Sequence, residues 1–420
     1  PPSFVLWDFP ATKKLRNFSV KMKDQNENVK VTLSEREGEN GILFVDVDVS
    51  YAEAQVPEPF SVCFEVSCVD MYSTWGATLG MERNLAPGWR RRKTYSRLAS
   101  GAPLHQVLSS DGRNRLTIAL SDAMTPTEIS SGIKEETAGL YCEVRFFTMP
   151  VNSISQYHAT IYIDQTDRPY EDALKAAERY WAEECGYPCA YIPDAARRPI
   201  YSCWYSFHQH IDVDAIVEQC RLAKAMGMDS VIVDDGWQTE DNSRGYAFCG
   251  DWEVAESKIP DIKEFVNRVH ETGMKIMLWF SVPYAGIESK IYNRFNDMLL
   301  DQSGNGRTHF SLDPRYREVR DYLIGIYAKA VGEWGFDGLK LDFIDSFEET
   351  EESSKDYGKM DCISVEEGVR RLLDEVSAEL KGINPEFMIE FRQSYIGPVV
   401  SQYGNMFRVT DCPNDALTNR

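Results

Sequence analysis

The stretch Gly338-Leu339-Lys340-Leu341-Asp342-Phe343-Ile344-Asp345 decides how the second half of this chain is read. Leu339, Leu341, Phe343 and Ile344 are apolar, and Gly335 and Gly338 punctuate the approach, which predicts a short buried strand over 339–344. Lys340 and Asp342 alternate with the apolar positions, so a cation and an anion point the same way near the strand's C-terminal end. Burying either charge unpaired is costly. A structural ion pair would meet that requirement and so would a reactive site; the flanking segments decide between them.

Outward from this stretch, strand and helix patterns alternate from Ile200 onward. Strands are predicted at 200–207, 230–233, 275–280, 339–344, 387–391 and 406–409, and helices at 213–226, 262–272, 317–334 and 365–380. The helix at 317–334 places Val319, Tyr322, Leu323, Ile326 and Ala330 inward, and Gly227 and Gly273 act as helix stops. Such alternation predicts parallel βαβ units. A closed (β/α)8 TIM-type barrel needs eight strands, so the expectation is its first six β/α units, incomplete at the C-terminus; an open sheet is the other arrangement of the same units.

Residues before about 165 read differently. Ile42-Leu43-Phe44-Val45-Asp46-Val47-Asp48-Val49 ends in clean alternation, and strand-like runs follow at 60–69, 116–120, 140–148 and 158–163. Turn-forming clusters such as Gly38-Glu39-Asn40-Gly41 and Ser110-Asp111-Gly112 separate them, a pattern that predicts a β-sandwich. A helix is predicted at 172–185, with Ala173, Leu174, Ala177, Tyr180 and Trp181 at helical spacing, before a proline-rich passage from Pro188 to Pro199. The expected organisation is an N-terminal sandwich with a linker helix over 1–195 and a catalytic barrel over 196–420, which suits a chain of 420 residues.

A formal net charge of −21 argues against a nucleic-acid partner, which needs a basic footprint. The one basic cluster, Arg90-Arg91-Arg92-Lys93, is expected to be a solvated loop. No apolar run approaches the roughly 20 residues that span a bilayer. Pro1-Pro2-Ser3 carries no secretory signal, and ten scattered cysteines without paired zinc spacing point to a reducing compartment, hence a cytoplasmic expectation. A trimmed N-terminus would leave export open.

In a barrel, reactive groups sit at the C-terminal strand ends. The first predicted strand ends in Trp204, Tyr205, His208 and His210, and the second in Asp234-Asp235-Gly236-Trp237. The third ends in Trp279, the fourth in Lys340 and Asp342, the fifth in Glu390 and Arg392, and the sixth in Arg408, Asp411 and Asp415. Carboxylates, cations and aromatic faces on one rim are the lining a sugar ring needs. Two carboxyl groups about 5–5.5 Å apart can cleave a glycosidic bond with retention, one attacking C1 and one protonating the leaving oxygen. Lys340 would favour the ionised form of a nucleophilic Asp342, and Asp411 and Asp415 could raise one another's pKa to hold the acid's proton. A divalent metal held by Asp234, Asp235 and Asp342 is the main physical competitor, without a histidine arrangement to support it. His208 and His210 read as rim or structural residues, Trp279 and Trp204 as sugar-facing, and Trp252 as undecided. Arg392 is either a substrate contact or a partner for Glu390.

Val233-Asp234-Asp235-Gly236-Trp237, Gly250-Asp251-Trp252 with Lys258 and Pro260, the run from Gly273 to Trp279, and Lys340-Leu341-Asp342 together resemble the α-galactosidases of glycoside hydrolase family 36, melibiase-like enzymes in the same clan as family 27. The resemblance covers about 200–420. It implies a retaining exo-α-galactosidase without metal or organic cofactor, acting on an oligosaccharide or glycan with a terminal α-galactoside. It maps the nucleophile onto Asp342, the acid/base onto Asp411, and the binders of the 4- and 6-hydroxyls onto Asp234 and Asp235. Lys340, Trp279, Trp204, Arg392, Arg408 and Asp415 are the other candidate substrate contacts. Two departures stand out. Glu390-Phe391-Arg392-Gln393-Ser394-Tyr395-Ile396-Gly397 replaces the family's Cys- and Gly-rich loop near the sugar's 2-position, leaving hydroxyl, acetamido and free amine open there. Asp411-Cys412-Pro413-Asn414-Asp415 leaves the acid between Asp411 and Asp415, with Asp411 preferred. Other readings are an α-galactosyl transferase of raffinose-synthase type and a non-catalytic sugar-binding protein; homo-oligomerisation is compatible with all three.

Overall fold

Val45, Val47 and Val49 are buried along one face of the strand Leu43–Gln55, while Asp48 and Ser50 on the other face are exposed. This period-2 burial organises the N-terminal half of the protein, whose computed structural model describes residues 5–7, 18–22, 28–77, 80–301, 306–392 and 396–408. Two compact units are present, Pro1–Pro188 with Ile396–Gln402, and Cys189–Tyr395 with Tyr403–Arg420.

The first unit contains two seven-stranded antiparallel sheets. One is centred on Phe60–Ser67, Gly139–Phe146 and Thr127–Lys134, the other on Leu43–Gln55, Ile154–Asp164 and Asn114–Leu120. Val45, Val47, Ile118 and Ile161 of the second share a core with Val62, Phe64, Ile129 and Val144 of the first, as in a β-sandwich. The helix Tyr170–Glu183 buries Ala177, Tyr180 and Trp181 against Phe44, Leu104 and Tyr162, and the indole N–H of Trp181 donates to the Leu120 carbonyl at 2.8 Å.

The basic cluster is not a solvated loop. Arg92 and Lys93 open the strand Arg92–Arg97, and three of the four cations have an acidic partner: Arg91 pairs with Glu143, Arg92 with Glu82 at 3.4 Å and Lys93 with Glu128 at 3.1 Å. Glu143 and Glu128 come from strands remote in sequence, so local charge density gave no sign of neutralisation. The strand Thr127–Lys134 was missed for a related reason. Its buried Ser130 and Ser131 look polar, but Ser131 Oγ is bonded to the buried His105 Nε2 at 2.7 Å.

The second unit contains a six-stranded parallel sheet in sequence order: β1 Ile200–Ser202, β2 Ser230–Val233, β3 Lys275–Ser281, β4 Gly338–Asp342, β5 Met388–Arg392 and β6 Met406–Arg408. Consecutive parallel strands joined through helices follow the pattern of a (β/α) barrel, here six of its units. The helices Val213–Ala225, Ile262–Glu271 and Val365–Ile383 start where side chains cap them. Asp212 accepts from Ala215 N–H, Asp261 from Lys263 and Glu264 N–H, and Ser364 from Glu367 N–H. The helix Arg317–Gly332 buries Val319, Leu323 and Ala330 as expected; Tyr322 and Ile326 are half-buried. Arg320 is also buried there, its guanidinium 2.7 Å from Asp361. Among the described residues no helix is long and apolar enough to cross a membrane.

Two strands are shorter than their apolar runs predict. Beyond Ser202 the chain turns into a helical turn, Trp204–Phe207, rather than continuing to 207, because Cys203 and Trp204 carbonyls capture the Phe207 and His208 N–H groups at 2.9 Å each. The strand β4 stops at Asp342, where Phe343 adopts a left-handed φ of +65°.

Gly338, at the start of β4, has no room for a side chain: a Cβ there would lie 2.5 Å from the Met388 carbonyl oxygen on β5. Gly338→Ala is expected to lower stability by about 1–3 kcal/mol through forced separation of the two strands. Thermal unfolding would check this, and an unchanged Tm would count against so tight a β4–β5 approach.

Candidate active site

The register of the parallel sheet brings side chains from different strands level with one another. Lys340 pairs with Glu390, so two residues further along Asp342 comes level with Arg392, and Trp279 sits opposite Lys340 on the other side. Side chains level in a parallel sheet point to the same face, which turns three separate strand ends into one cluster.

Asp342 is 1% exposed and its carboxylate is surrounded by donors. Oδ2 accepts from Trp279 Nε1 at 3.0 Å and from Arg392 Nη1 at 3.2 Å, and Oδ1 accepts from the Phe343 N–H at 3.0 Å. The left-handed conformation of Phe343 aims that N–H back at the carboxylate, a strained geometry for an aromatic residue. Burial raises the Asp342 pKa above the ordinary carboxylate value, and Lys340, Arg392 and the Trp279 N–H pull it back down.

Lys340 is not chiefly the partner of Asp342. Its ammonium lies 2.6 Å from Asp234 Oδ2 and 3.7 Å from Asp342 Oδ2, so it bridges the two carboxylates while bonding the first. The nearer cation to Asp342 is Arg392. Nor is Arg392 the partner of Glu390: Glu390 pairs with Arg408 Nε at 3.2 Å, and Arg408 Nη1 donates to Tyr205 Oη at 2.8 Å. Burial raises the Glu390 pKa, opposed by Lys340 and Arg408.

Asp235 is held differently from its neighbour. Gln209 Nε2 and Gln238 Nε2 each donate to it at 2.7 Å, and burial pushes its pKa up to about 6 against these two bonds. Gly236, at φ +116°, permits the approach: a Cβ there would lie 2.5 Å from the Gln209 Cα. Lys258 ties the same loop together by donating to the carbonyls of Gln209 and Gly236 at 2.9 and 3.0 Å. Gln209 and Gln238 were absent from the sequence reading; the signal for them was position, since each closely follows a strand end that carries other candidates.

The tryptophans divide in two. Trp237 is fully buried and stacks on Trp252 at 5.9 Å, which places Trp252 in the core. Trp279 is 2% exposed, its ring stacked 6.4 Å from Tyr246, which also meets Phe343 at 5.3 Å. Trp204 is half-buried, with its ring edge-to-face against His208 at 4.8 Å and the Arg244 guanidinium 5.3 Å above it. His208 is half-buried and His210 exposed. Asp411 and Asp415 lie outside the described residues. Among the described residues no group of three His, Cys, Asp or Glu side chains is placed to hold a metal ion, and the point between Asp234 and Asp342 is taken by the Lys340 ammonium.

Residues 193–388 match the Melibiase family. This segment is a melibiase-family domain. The domain carries Trp204, Asp234, Asp235, Trp279, Lys340 and Asp342, with Glu390, Arg392 and Arg408 just beyond it. Over 155 residues the chain is 30% identical to the bifunctional alpha-galactosidase/sucrose kinase AgaSK of Mediterraneibacter gnavus, a match covering 35% of this chain and 16% of the relative. Over 176 residues it is 28% identical to an A type blood alpha-D-galactosamine galactosaminidase of Flavonifractor plautii, covering 38% of this chain and 15% of the relative. Its fold is shared with the family 36 α-galactosidase AgaA of Geobacillus stearothermophilus, solved in complex with raffinose. That likeness has a TM-score of 0.64 at 14% identity and covers 96% of this chain and 57% of the other. The chain therefore spans well under two thirds of the length of these relatives.

Proposed function

We propose that the protein hydrolyses terminal α-linked galactose with retention of configuration, Asp342 being the nucleophile. The observation that carries this reading is the Asp342 carboxylate, buried at the end of β4 with indole, guanidinium and backbone N–H donors converging on it. Such an anion is oriented and kept charged at a rim position from which it can reach a sugar. In the first step Asp342 forms a bond to C1 as the glycosidic C–O bond breaks, and Asp411, or else Asp415, gives the departing oxygen a proton. In the second step water takes the sugar from Asp342, the same acid now receiving the water's proton. Asp234, Asp235 and Lys340 hold the hydroxyls on the far side of the ring, and Trp204, Trp279 and Arg408 complete the lining. The names of the relatives support galactoside as the substrate class.

The test is to give the full-length protein an aryl α-galactoside and follow the first-formed sugar by NMR. The α-anomer is expected first; the β-anomer, or no cleavage, would refute the proposal.

The charges around Asp342 predict the acid limb of the reaction. The nucleophile must be ionised, and burial raises its pKa, so kcat/KM falls on the acid side at higher pH than an exposed aspartate would give. Arg392 opposes that rise, so Arg392→Gln raises the Asp342 pKa further and moves the acid limb to higher pH. A pH–rate profile checks the sign; a limb displaced to lower pH contradicts it.

A further inference from the structure

Phe343 stands in a backbone conformation that phenylalanine avoids, at φ +65°, directly after Asp342. Glycine would adopt that conformation freely; a residue with a Cβ keeps it only while its surroundings over-determine it. The surroundings are aromatic. The Phe343 ring stacks on Tyr284, with centroids 4.9 Å apart at 27°, and meets Tyr246 edge-to-face at 5.3 Å. Two such contacts return about as much as a left-handed residue costs, so losing one of them tips the balance. Tyr284 arrives from the segment just past β3. There Ser281 is level with Asp342, the Val282 N–H donates to the Asp342 carbonyl at 3.0 Å, and Tyr284–Gly286 pairs antiparallel with His309–Ser311. His309 packs its ring 4.2 Å from that of Tyr284 and 5.2 Å from that of Tyr246, which steadies both. The Tyr284 hydroxyl also lies 3.0 Å from Ser346 Oγ, in the turn Ile344–Ser346 into which Phe343 leads.

We propose that Tyr284 is a positioning residue for Asp342: its ring and hydroxyl clamp Phe343 in the left-handed conformation and so hold the Phe343 N–H on the carboxylate. This rests on the reading of Asp342 as the nucleophile. The clamp reaches the carboxylate by two routes. The Phe343 N–H donates to Oδ1 at 3.0 Å, and the Phe343 ring lies 5.5 Å from the guanidinium carbon of Arg392, which donates to Oδ2 at 3.2 Å. Without the Tyr284 ring, Phe343 relaxes to negative φ and its N–H turns away from Oδ1. Asp342 then loses a donor that favours its charged form, so its pKa rises and its orientation toward C1 loosens. The charges acting on Asp342, Lys340 and Arg392 lowering its pKa and Asp234 raising it, are left in place by substitution of Tyr284. The Tyr284 and Tyr246 phenols stay neutral over the working range, because burial raises the pKa of each. Burial and Arg307 lower the His309 pKa, which keeps that ring neutral as well.

The experiment is a pH–rate profile with an aryl α-galactoside for the full-length protein, comparing wild type, Tyr284→Ala, Tyr284→Phe and the double variant Tyr284→Ala with Phe343→Gly. Tyr284→Ala is expected to lower kcat about tenfold with KM within about twofold, and to move the acid limb of kcat/KM to higher pH. Tyr284→Phe keeps the stacked ring and most of the rate. The double variant recovers most of the lost kcat and returns the limb toward its wild-type position, because glycine takes the left-handed conformation unaided. A merely structural role for Tyr284 would leave the limb unmoved and make the second substitution a further loss. Tyr284→Leu, which fills the space without an aromatic face, carries the same expectation if Tyr284→Ala does not fold. An unmoved acid limb, an effect on KM alone, or a double variant no better than the single one overturns this inference and leaves the catalytic reading standing. No cleavage by wild type overturns the catalytic reading, and the inference with it, since no nucleophile is then being positioned.

Discussion

Asp342→Asn lowers kcat for an aryl α-galactoside by about 10³-fold or more while leaving the protein folded. The substitution keeps the shape of the side chain and removes only its charge and nucleophilicity. With its oxygen in the place of Oδ2 the amide still accepts from Trp279 and Arg392, and only the bond from the Phe343 N–H is lost, so the strand end stays organised. Folding is expected to suffer little because burial already raises the pKa of this carboxyl, which means the folded protein gains little from its charge. The matching variant Asp342→Ala leaves space beside C1, and azide should restore turnover with an α-galactosyl leaving group, giving the β-galactosyl azide. A variant Asp342→Asn that kept more than a tenth of wild-type rate would assign the nucleophile elsewhere.

Lys340→Met is expected to be the most destabilising single change in the cluster. Asp234 and Asp342 share this ammonium at 2.6 and 3.7 Å, all three side chains at least 95% buried, and Glu390 is stabilised by the same charge. Methionine matches the length of the lysine stem but leaves buried carboxylates without their cation, which costs about 3–5 kcal/mol when one partner of a buried pair is removed. The sign of the pH dependence follows. Without Lys340 the folded-state pKa values of Asp342 and Glu390 rise further above their unfolded values, so the folded form binds more protons. The stability defect is therefore largest at neutral pH and shrinks as pH falls toward about 4, where the carboxyls of the unfolded chain also begin to take up protons. Urea unfolding at the two pH values measures it. A defect that grew on acidification would mean that Lys340 is paired chiefly in some other way.

Much of this site could be read along the chain because barrel chemistry is gathered at strand ends, and strand ends are visible as the points where apolar runs stop. Asp234, Asp235, Trp279, Lys340, Asp342, Glu390, Arg392 and Arg408 were all found that way. The partners of these residues were not. Lys340 and Asp342 are two apart on one strand and looked like each other's counter-ion, yet Asp234, 106 positions away, holds the lysine. Glu390 and Arg392 looked like a second such pair and are bonded to Arg408 and Asp342 instead.

The sequence by itself determined the all-β then alternating order, the class of the strongly periodic elements, and which charged groups stand at strand ends, because those depend on periodicity and composition within a few residues. Only the tertiary structure decided which cation serves which carboxylate. That choice depends on the register between β4 and β5, on the turn that brings Gln209 to Asp235, and on the left-handed Phe343 that ends β4. Each of these sets distances of about 3 Å between residues far apart in the chain. At that range a shift of one residue in register would send every side chain of a strand to the opposite face.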